Sequence, residues 1–229
     1  GEKMNYLDIG SGTSILPSYL IKKTDWDITC VDKFSWLQSQ NNFANKVTKY
    51  DLNNRLNLIE KDINNLNLPL ESFDIITNIS VVEHFEGSTD SEMMEKTASL
   101  LKPGGIYILT TLINEKYFKE FYIKKSVYGE KYEKDPVFFQ RHYDLDSIKD
   151  RLVKPSGLKE KERIFLGEYD FQFCEKFMIL PWPIKPIKLF YQWATPFFAE
   201  KFLSYRDYPV SRPDMHMYTS SCICMILIK

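Results

Sequence analysis

Met4-Asn5-Tyr6-Leu7-Asp8-Ile9-Gly10-Ser11-Gly12-Thr13-Ser14 is the stretch that decides the fold. Tyr6, Leu7 and Ile9 favour an extended strand. They lead into Gly10, Ser11, Gly12, Thr13 and Ser14, and a helix-like run from Ile15 to Lys22 follows at once. A strand, a glycine turn and a helix N-terminus in so short a span is the layout of a nucleotide-type ligand site. Gly10 and Gly12 let the backbone approach a ligand closely or adopt positive φ without a Cβ clash. Asp8 narrows the ligand. A dinucleotide loop would read G-x-G-x-x-G and seat a pyrophosphate on the helix N-terminus. Here Ile15 stands at the third glycine position, and a carboxylate sits two residues before Gly10. A fixed negative charge beside the loop repels a diphosphate and suits a cationic ligand.

Working outward, Asp27 to Val31 forms a short β-rich run that ends at Asp32, 20 residues beyond Gly12. A carboxylate at that strand end can accept from both hydroxyls of a ribose, and its alternative role is a helix N-cap. Phe34 to Phe43 reads as a helix. Leu56 to Ile59 and Ser72 to Ile79 read as the third and fourth strands. Asp90 to Leu101 reads as a helix with Met93, Met94, Thr97 and Leu101 on one face, stopped by Lys102-Pro103-Gly104-Gly105. Ile106 to Thr111 is a fifth strand. Regular alternation of strand and helix predicts a doubly wound α/β sheet, whose ligands bind at the carboxyl ends of the strands. Asp8, Asp32, Asp62 and the segment from Ser80 to His84 all fall at such ends.

The pattern D-I-G-S-G-T-S at 8–14 resembles the first motif of the class I S-adenosylmethionine-dependent methyltransferases, although Ser14 replaces a glycine frequent in that family. The run L-L-K-P-G-G-I-Y-I-L at 100–109 is among the most specific parts of the resemblance. The cofactor of that family carries a sulfonium and an ammonium, which fits the carboxylate beside the loop. The resemblance implies that Asp62 accepts from the adenine amino group while Ile63 packs on the base. It also implies that the segment ending Glu83-His84 forms the pocket lip under the methionine part. The implied cofactor set is Asp8, Gly10, Ser11, Gly12, Asp32 with its neighbour Lys33, Asp62, Ile63, Ser80 and Glu83. The cofactor is S-adenosylmethionine, and its product S-adenosylhomocysteine.

The family's fold is a mostly parallel seven-stranded sheet whose last strand, here Thr219 to Ile228, runs antiparallel between the fifth and the sixth. Leu158 to Phe165 supplies the sixth, after a helix from an Asp144 N-cap through Leu152. The whole chain, 1–229, is expected to be a single methyltransferase domain. Two aromatic-rich inserts, 113–142 and 167–218, are expected to form a lid on the substrate side. The chain starts only a few residues before the first strand, which leaves room for an upstream helix outside it.

Composition sets the remaining bounds. A net charge of −1, from 30 basic and 31 acidic residues, provides no global basic field for nucleic acid. Cys30, Cys174, Cys222 and Cys224 form no C-x-x-C pair and no cluster with histidine, so no metal is expected and free thiols fit a reducing cytoplasm. No apolar run reaches the roughly 20 residues of a spanning helix. The residues after the fourth strand, Asn78-Ile79-Ser80-Val81, lack the Asn/Asp-Pro-Pro-aromatic turn of nucleobase amino methyltransferases. The expected acceptor is therefore a small molecule, most simply through a hydroxyl of a sugar or specialised metabolite, with N- or C-methylation open beside it.

A hydroxyl acceptor calls for a base, for which histidine suits neutral pH best. His84 and His142 rank ahead of His216. Arg141, Tyr143, Tyr117 and Trp182 are candidate substrate contacts. The Lys-flanked aromatic stretch 177–208 offers three readings: a helical lid with aromatics as core filler, an amphipathic surface for peripheral membrane or partner contact, or a pocket lining for an aromatic, prenyl or glycan acceptor, which admits a lipid-like or prenylated substrate. A non-catalytic binding domain or membrane-surface adaptor is the alternative to an enzyme. Neither Asp8 nor Asp32 is expected to be a core packing residue.

Overall fold

The computed structural model describes residues 2–47, 55–114, 117–124, 136–168, 203–206 and 221–229, with the backbone alone for 47, 166–168, 203–206 and 221. The expected alternation is present. Strand β1 is Asn5–Ile9, β2 Asp27–Asp32, β3 Leu56–Glu60, β4 Phe73–Ile79 and β5 Leu101–Leu112. Helix α1 is Leu16–Lys23, α2 Ser39–Val47 and α3 Thr89–Leu100. A 3-10 turn at Ser35–Gln38 takes the first part of the helix expected from Phe34.

Strands β6 (Lys119–Ile123) and β7 (Val137–His142) pair antiparallel as a separate two-stranded sheet inside the first insert. A continuous helical run, 145–156, contains a π segment at Lys149–Val153. It is capped by Asp144, whose Oδ1 accepts from the Ser147 amide at 2.8 Å. Strands β8 (Lys159–Glu168), β9 (Leu203–Arg206) and β10 (Ser221–Ile228) complete the order.

The large sheet runs β3-β2-β1-β4-β5-β10-β8-β9. β3, β2, β1, β4 and β5 run parallel to one another, while β10 is antiparallel to both β5 and β8. That is the seven-stranded arrangement the sequence called for, with β9 added on the β8 edge. The K-P-G-G turn sits within β5. The β4–β5 register jumps from Phe73↔Leu101 to Ile75↔Ile106, so residues 102–105 loop out at Gly104, whose φ is 77°.

Period-2 alternation sorts β1 between two layers. Tyr6 packs with Ile21, Ile28, Cys30, Leu37 and Ala44 under α1 and α2. Leu7 and Ile9 join Ile76, Met93, Met94 and Leu109 under α3. Removing a fully buried side chain such as Leu7 would cost about 2–5 kcal/mol. Strand order reverses between β1 and β4, and a crevice opens there at the carboxyl ends.

Candidate functional site

That crevice is a cavity of about 510 Å³, within the range of about 300–1,000 Å³ typical of small-ligand sites. Gly10, Gly12, Asp32, Asp62, Ser80 and His84 border it from the strand ends. Phe34 and Trp36 flank one side, and Phe85 with Val137, Phe138 and Phe139 of β7 close another.

The glycine loop is shaped by close approach. Gly10 has φ 66°, and a Cβ on it would stand 2.4 Å from Val81 Cγ2. The Gly10 and Ser11 amides both donate to the Val31 carbonyl, at 2.8 and 3.2 Å. This turns the chain sharply over the end of β2. Asp32 then accepts from the Gly12 amide through Oδ2 at 2.8 Å and from the Phe34 amide through Oδ1 at 2.9 Å. Two neutral amides fix the carboxylate without cancelling its charge. Each oxygen keeps a second lone pair for a ligand hydroxyl. Asp62 caps the turn Ile63–Asn65 by accepting from the Asn64 amide at 2.9 Å, and Ile63 is buried beside it. Ser80 borders the cavity with φ 55°, in the left-handed region that non-glycine residues rarely adopt.

His84 sits in a 3-10 turn, Val82–His84, and its Nδ1 lies 2.8 Å from the Phe139 carbonyl. A carbonyl only accepts, so Nδ1 carries the proton and Nε2 the lone pair. Burial pushes the imidazole pKa below its ordinary value. The Phe139 carbonyl opposes that shift, and the nearby Lys33 charge adds to it. Lys33 itself borders the cavity, its Nζ 4.6 Å from the centre of the Phe34 ring.

Several expected site residues lie elsewhere. Asp8 is 3% exposed and forms no part of the cavity wall. Its Oδ2 accepts from the Ser11 hydroxyl at 2.7 Å and its Oδ1 from the Thr77 hydroxyl at 2.6 Å. Because Thr77 spends its proton on Asp8, the Tyr6 hydroxyl 2.5 Å away must donate to Thr77. Burial raises the Asp8 pKa, against the hydroxyls that lower it. Ser11 is buried with it; Asp32 is only 8% exposed yet borders the cavity, and neither aspartate belongs to the apolar clusters of the core.

Glu83, 2% exposed, accepts from Thr111 of β5 at 3.1 Å, and burial pushes its pKa up to about 7. His142 is fully buried, with Nε2 3.1 Å from Gln140 Nε2 and its ring 4.6 Å from that of Phe121. It is off the wall and unsuited to meet a substrate.

Arg141 and Tyr143 also differ from expectation: both are fully buried around Asp90. Arg141 Nη1 is 3.0 Å from Asp90 Oδ2, the Tyr143 hydroxyl donates to the same oxygen at 2.8 Å, and Arg151 donates to both Asp90 oxygens. The Arg141 guanidinium stacks near Phe138 and Phe118, 5.1 and 5.6 Å from the ring centres. Tyr117 is 40% exposed and off the cavity wall. Trp182, His216 and the stretch 177–208, save the backbone of Leu203–Arg206, lie outside the described residues.

Sequence reasoning missed Trp36 and Phe85 as wall residues. Trp36 carried a visible signal, an aromatic pair two residues apart directly after Asp32. Its Nε1 lies 3.8 Å from where a Gly12 Cβ would stand. Among the described residues no three His, Cys, Asp or Glu side chains gather to hold a metal, and no helix is long and apolar enough to cross a membrane.

Residues 7–109 match the profile of a methyltransferase domain family. Among curated protein sequences none is significantly similar. Solved structures are. One is the 1,6-didemethyltoxoflavin-N1-methyltransferase of Burkholderia thailandensis, solved with 1,6-didemethyltoxoflavin and S-adenosylhomocysteine. It is 12% identical with a TM-score of 0.59, and the match covers 100% of this chain and 72% of that one. A methyltransferase from Methanosarcina mazei is 12% identical at TM-score 0.58, covering 100% and 93%. Another, from Mesorhizobium loti, is 12% identical at 0.55, covering 99% and 91%. Likeness at such identity shows shared architecture. The matched segment supplies the class of that stretch: residues 7–109 are a methyltransferase domain, set in the fold of the class I S-adenosylmethionine-dependent methyltransferases.

Proposed function

We propose that the protein transfers the methyl group of S-adenosylmethionine to a hydroxyl of a small-molecule acceptor, with His84 as the base. The observation that carries this reading is the His84 ring. Among the described residues it is the sole histidine on the cavity wall, and its Nδ1 contact with the Phe139 carbonyl leaves the basic electron pair on Nε2. A depressed pKa keeps that nitrogen unprotonated at neutral pH. In the reaction the acceptor oxygen attacks the methyl carbon in line, the carbon–sulfur bond breaks to release a neutral thioether, and Nε2 takes the hydroxyl proton. Charge disperses in that step, so exclusion of water and alignment lower the barrier.

Asp32 is assigned to the ribose hydroxyls, Asp62 to the adenine amino group and Ile63 to the base. Gly10 and Gly12 bring the loop backbone against the methionine part, beside Ser80. Asp8, Ser11 and Glu83 support that arrangement from behind. Aromatic walls at Phe85, Phe138 and Phe139 suit an acceptor with a flat apolar body.

Calorimetry with S-adenosylmethionine and S-adenosylhomocysteine tests the cofactor assignment; binding of neither would sink it and favour a non-catalytic domain. With an acceptor found by screening, His84→Ala is expected to lower kcat by about 10²–10⁴-fold at unchanged cofactor affinity. In the wild type, kcat/KM should fall only as the pH drops below the ordinary histidine range. A flat acid limb, or His84→Ala with full turnover, removes the base and leaves transfer by proximity alone.

A further inference from the structure

Gln40, the second residue of α2, is fully buried and 28 residues from the glycine loop in sequence. Its Nε2 points at three carbonyls of that loop: Ser14 at 2.8 Å, Gly12 at 3.0 Å and Ser11 at 3.4 Å. We propose that Gln40 is the positioning residue of the cofactor loop, turning its carbonyl dipoles away from the cavity so that the opposite, N–H, edges of the same peptide units face the ligand. The proposal rests on the cofactor assignment above.

The argument follows from peptide planarity. A trans peptide unit holds the carbonyl of one residue antiparallel to the N–H of the next. Drawing the Ser11 carbonyl toward Gln40 therefore sends the Gly12 N–H the other way, and that N–H is the one that meets Asp32 Oδ2 at 2.8 Å. Drawing the Gly12 carbonyl the same way turns the Thr13 N–H toward the cavity, where Gly12 and Thr13 both form wall. Drawing back the Ser14 carbonyl likewise frees the Ile15 N–H edge at the head of α1. One buried amide thus connects α2 to the orientation of Asp32 through a single peptide unit. Without it, the Gly12 and Ser14 carbonyls of a loop that bends through two positive-φ glycines would be free to rotate into the ligand space, and the Ser11 carbonyl would keep only the Ser14 amide, at 3.0 Å. Gln40 touches no substrate; it acts through the loop and Asp32.

Gln40→Met keeps length and approximate volume and removes the carboxamide, whose oxygen has no hydrogen-bond partner among the described residues, so the loss that counts is the donor. Calorimetry of S-adenosylhomocysteine binding should show the wild type binding and Gln40→Met binding on the order of tenfold or more weakly, the scale of losing one or two net hydrogen bonds. Acceptor KM and kcat at saturating donor should stay within about threefold, because the loss lies in donor binding alone. A cycle with Asp32→Asn separates positioning from mere packing. Since Gln40 works through Asp32, the two losses in affinity must sum to more than the double variant shows.

Should Gln40→Met fail to fold, Gln40→Leu, which likewise lacks the donor, enters the same cycle. An affinity within twofold of wild type in a folded variant, or losses that add fully, overturns the proposal while the cofactor assignment stands. No binding by the wild type overturns both.

Discussion

Asp32 and Asp90 are both buried carboxylates at element ends, and they do opposite work. Asp32 is held by two backbone amides, at 2.8 and 2.9 Å, and borders the cavity. Asp90 is held by the guanidiniums of Arg141 and Arg151 and by the Tyr143 hydroxyl, with no exposure at all. Neutral donors fix a carboxylate and leave its charge for a visitor; cationic donors fix it and consume the charge. The first arrangement makes a binding group. The second makes a bolt, clamping the β6–β7 hairpin and the helical run 145–156 onto the start of α3. Since Phe138 and Phe139 of that hairpin border the cavity, the bolt reaches the site through packing.

The largest effect should come from removing the bolt. Asp90→Ala strands Arg141 in the interior without its main counter-ion, a cost of about 3–5 kcal/mol. Chemical denaturation should register that loss, while S-adenosylhomocysteine affinity of the remaining folded protein changes little. An unshifted denaturation midpoint would break the contrast.

Glu83 sharpens it, as a buried carboxylate with a hydroxyl donor and, among the described residues, no cation paired to it. Its folded-state pKa of about 7 lies above the ordinary value of 4.5. The folded state therefore binds more protons than the unfolded chain across that window. The resulting stability is present at acid pH and lost as the pH rises from 4.5 to 7. Glu83→Gln should abolish that decline, worth about 3 kcal/mol at most for a shift of this size. Parallel denaturation curves for wild type and variant across the window would refute the raised pKa.

The smallest change in stability is expected at Asp32. Asp32→Asn should weaken S-adenosylhomocysteine binding by about 1.5–3 kcal/mol, the range for hydrogen bonds to a charged group, with the melting temperature nearly unmoved. A variant that melts early yet binds normally would make Asp32 a second bolt.

These two carboxylates also divide what the sequence discloses from what it conceals. Asp32 was legible because strand, glycine turn and acidic residue follow one another within a single βαβ unit, where local spacing determines placement. The sheet order was legible for the same reason, each strand and helix being announced by its own periodicity. Asp90 read only as the start of a helix, since its partner Arg141 lies 51 residues away. Arg141 and Tyr143 resembled substrate contacts because charge and aromaticity look alike whether a side chain meets a ligand or another residue. The orientation of Asp8 was not legible. Motif position put it at the strand end, but its partners, Ser11 and Thr77 on the neighbouring β4, turn it away from the opening. Gln40 gave no signal, for a glutamine early in a helix usually faces water.

The contact between Gly10 and Val81 has a consequence for how such a chain can change over generations. The two positions arrive from the first and fourth strands and leave no room for a single extra carbon between them. Neither can drift alone: a side chain at 10 is admissible only after 81 has shrunk, and even then the left-handed backbone at 10 resists it. Descendants of this protein should therefore keep the glycine wherever they keep a branched residue at 81, as a linked pair of inherited letters 71 positions apart.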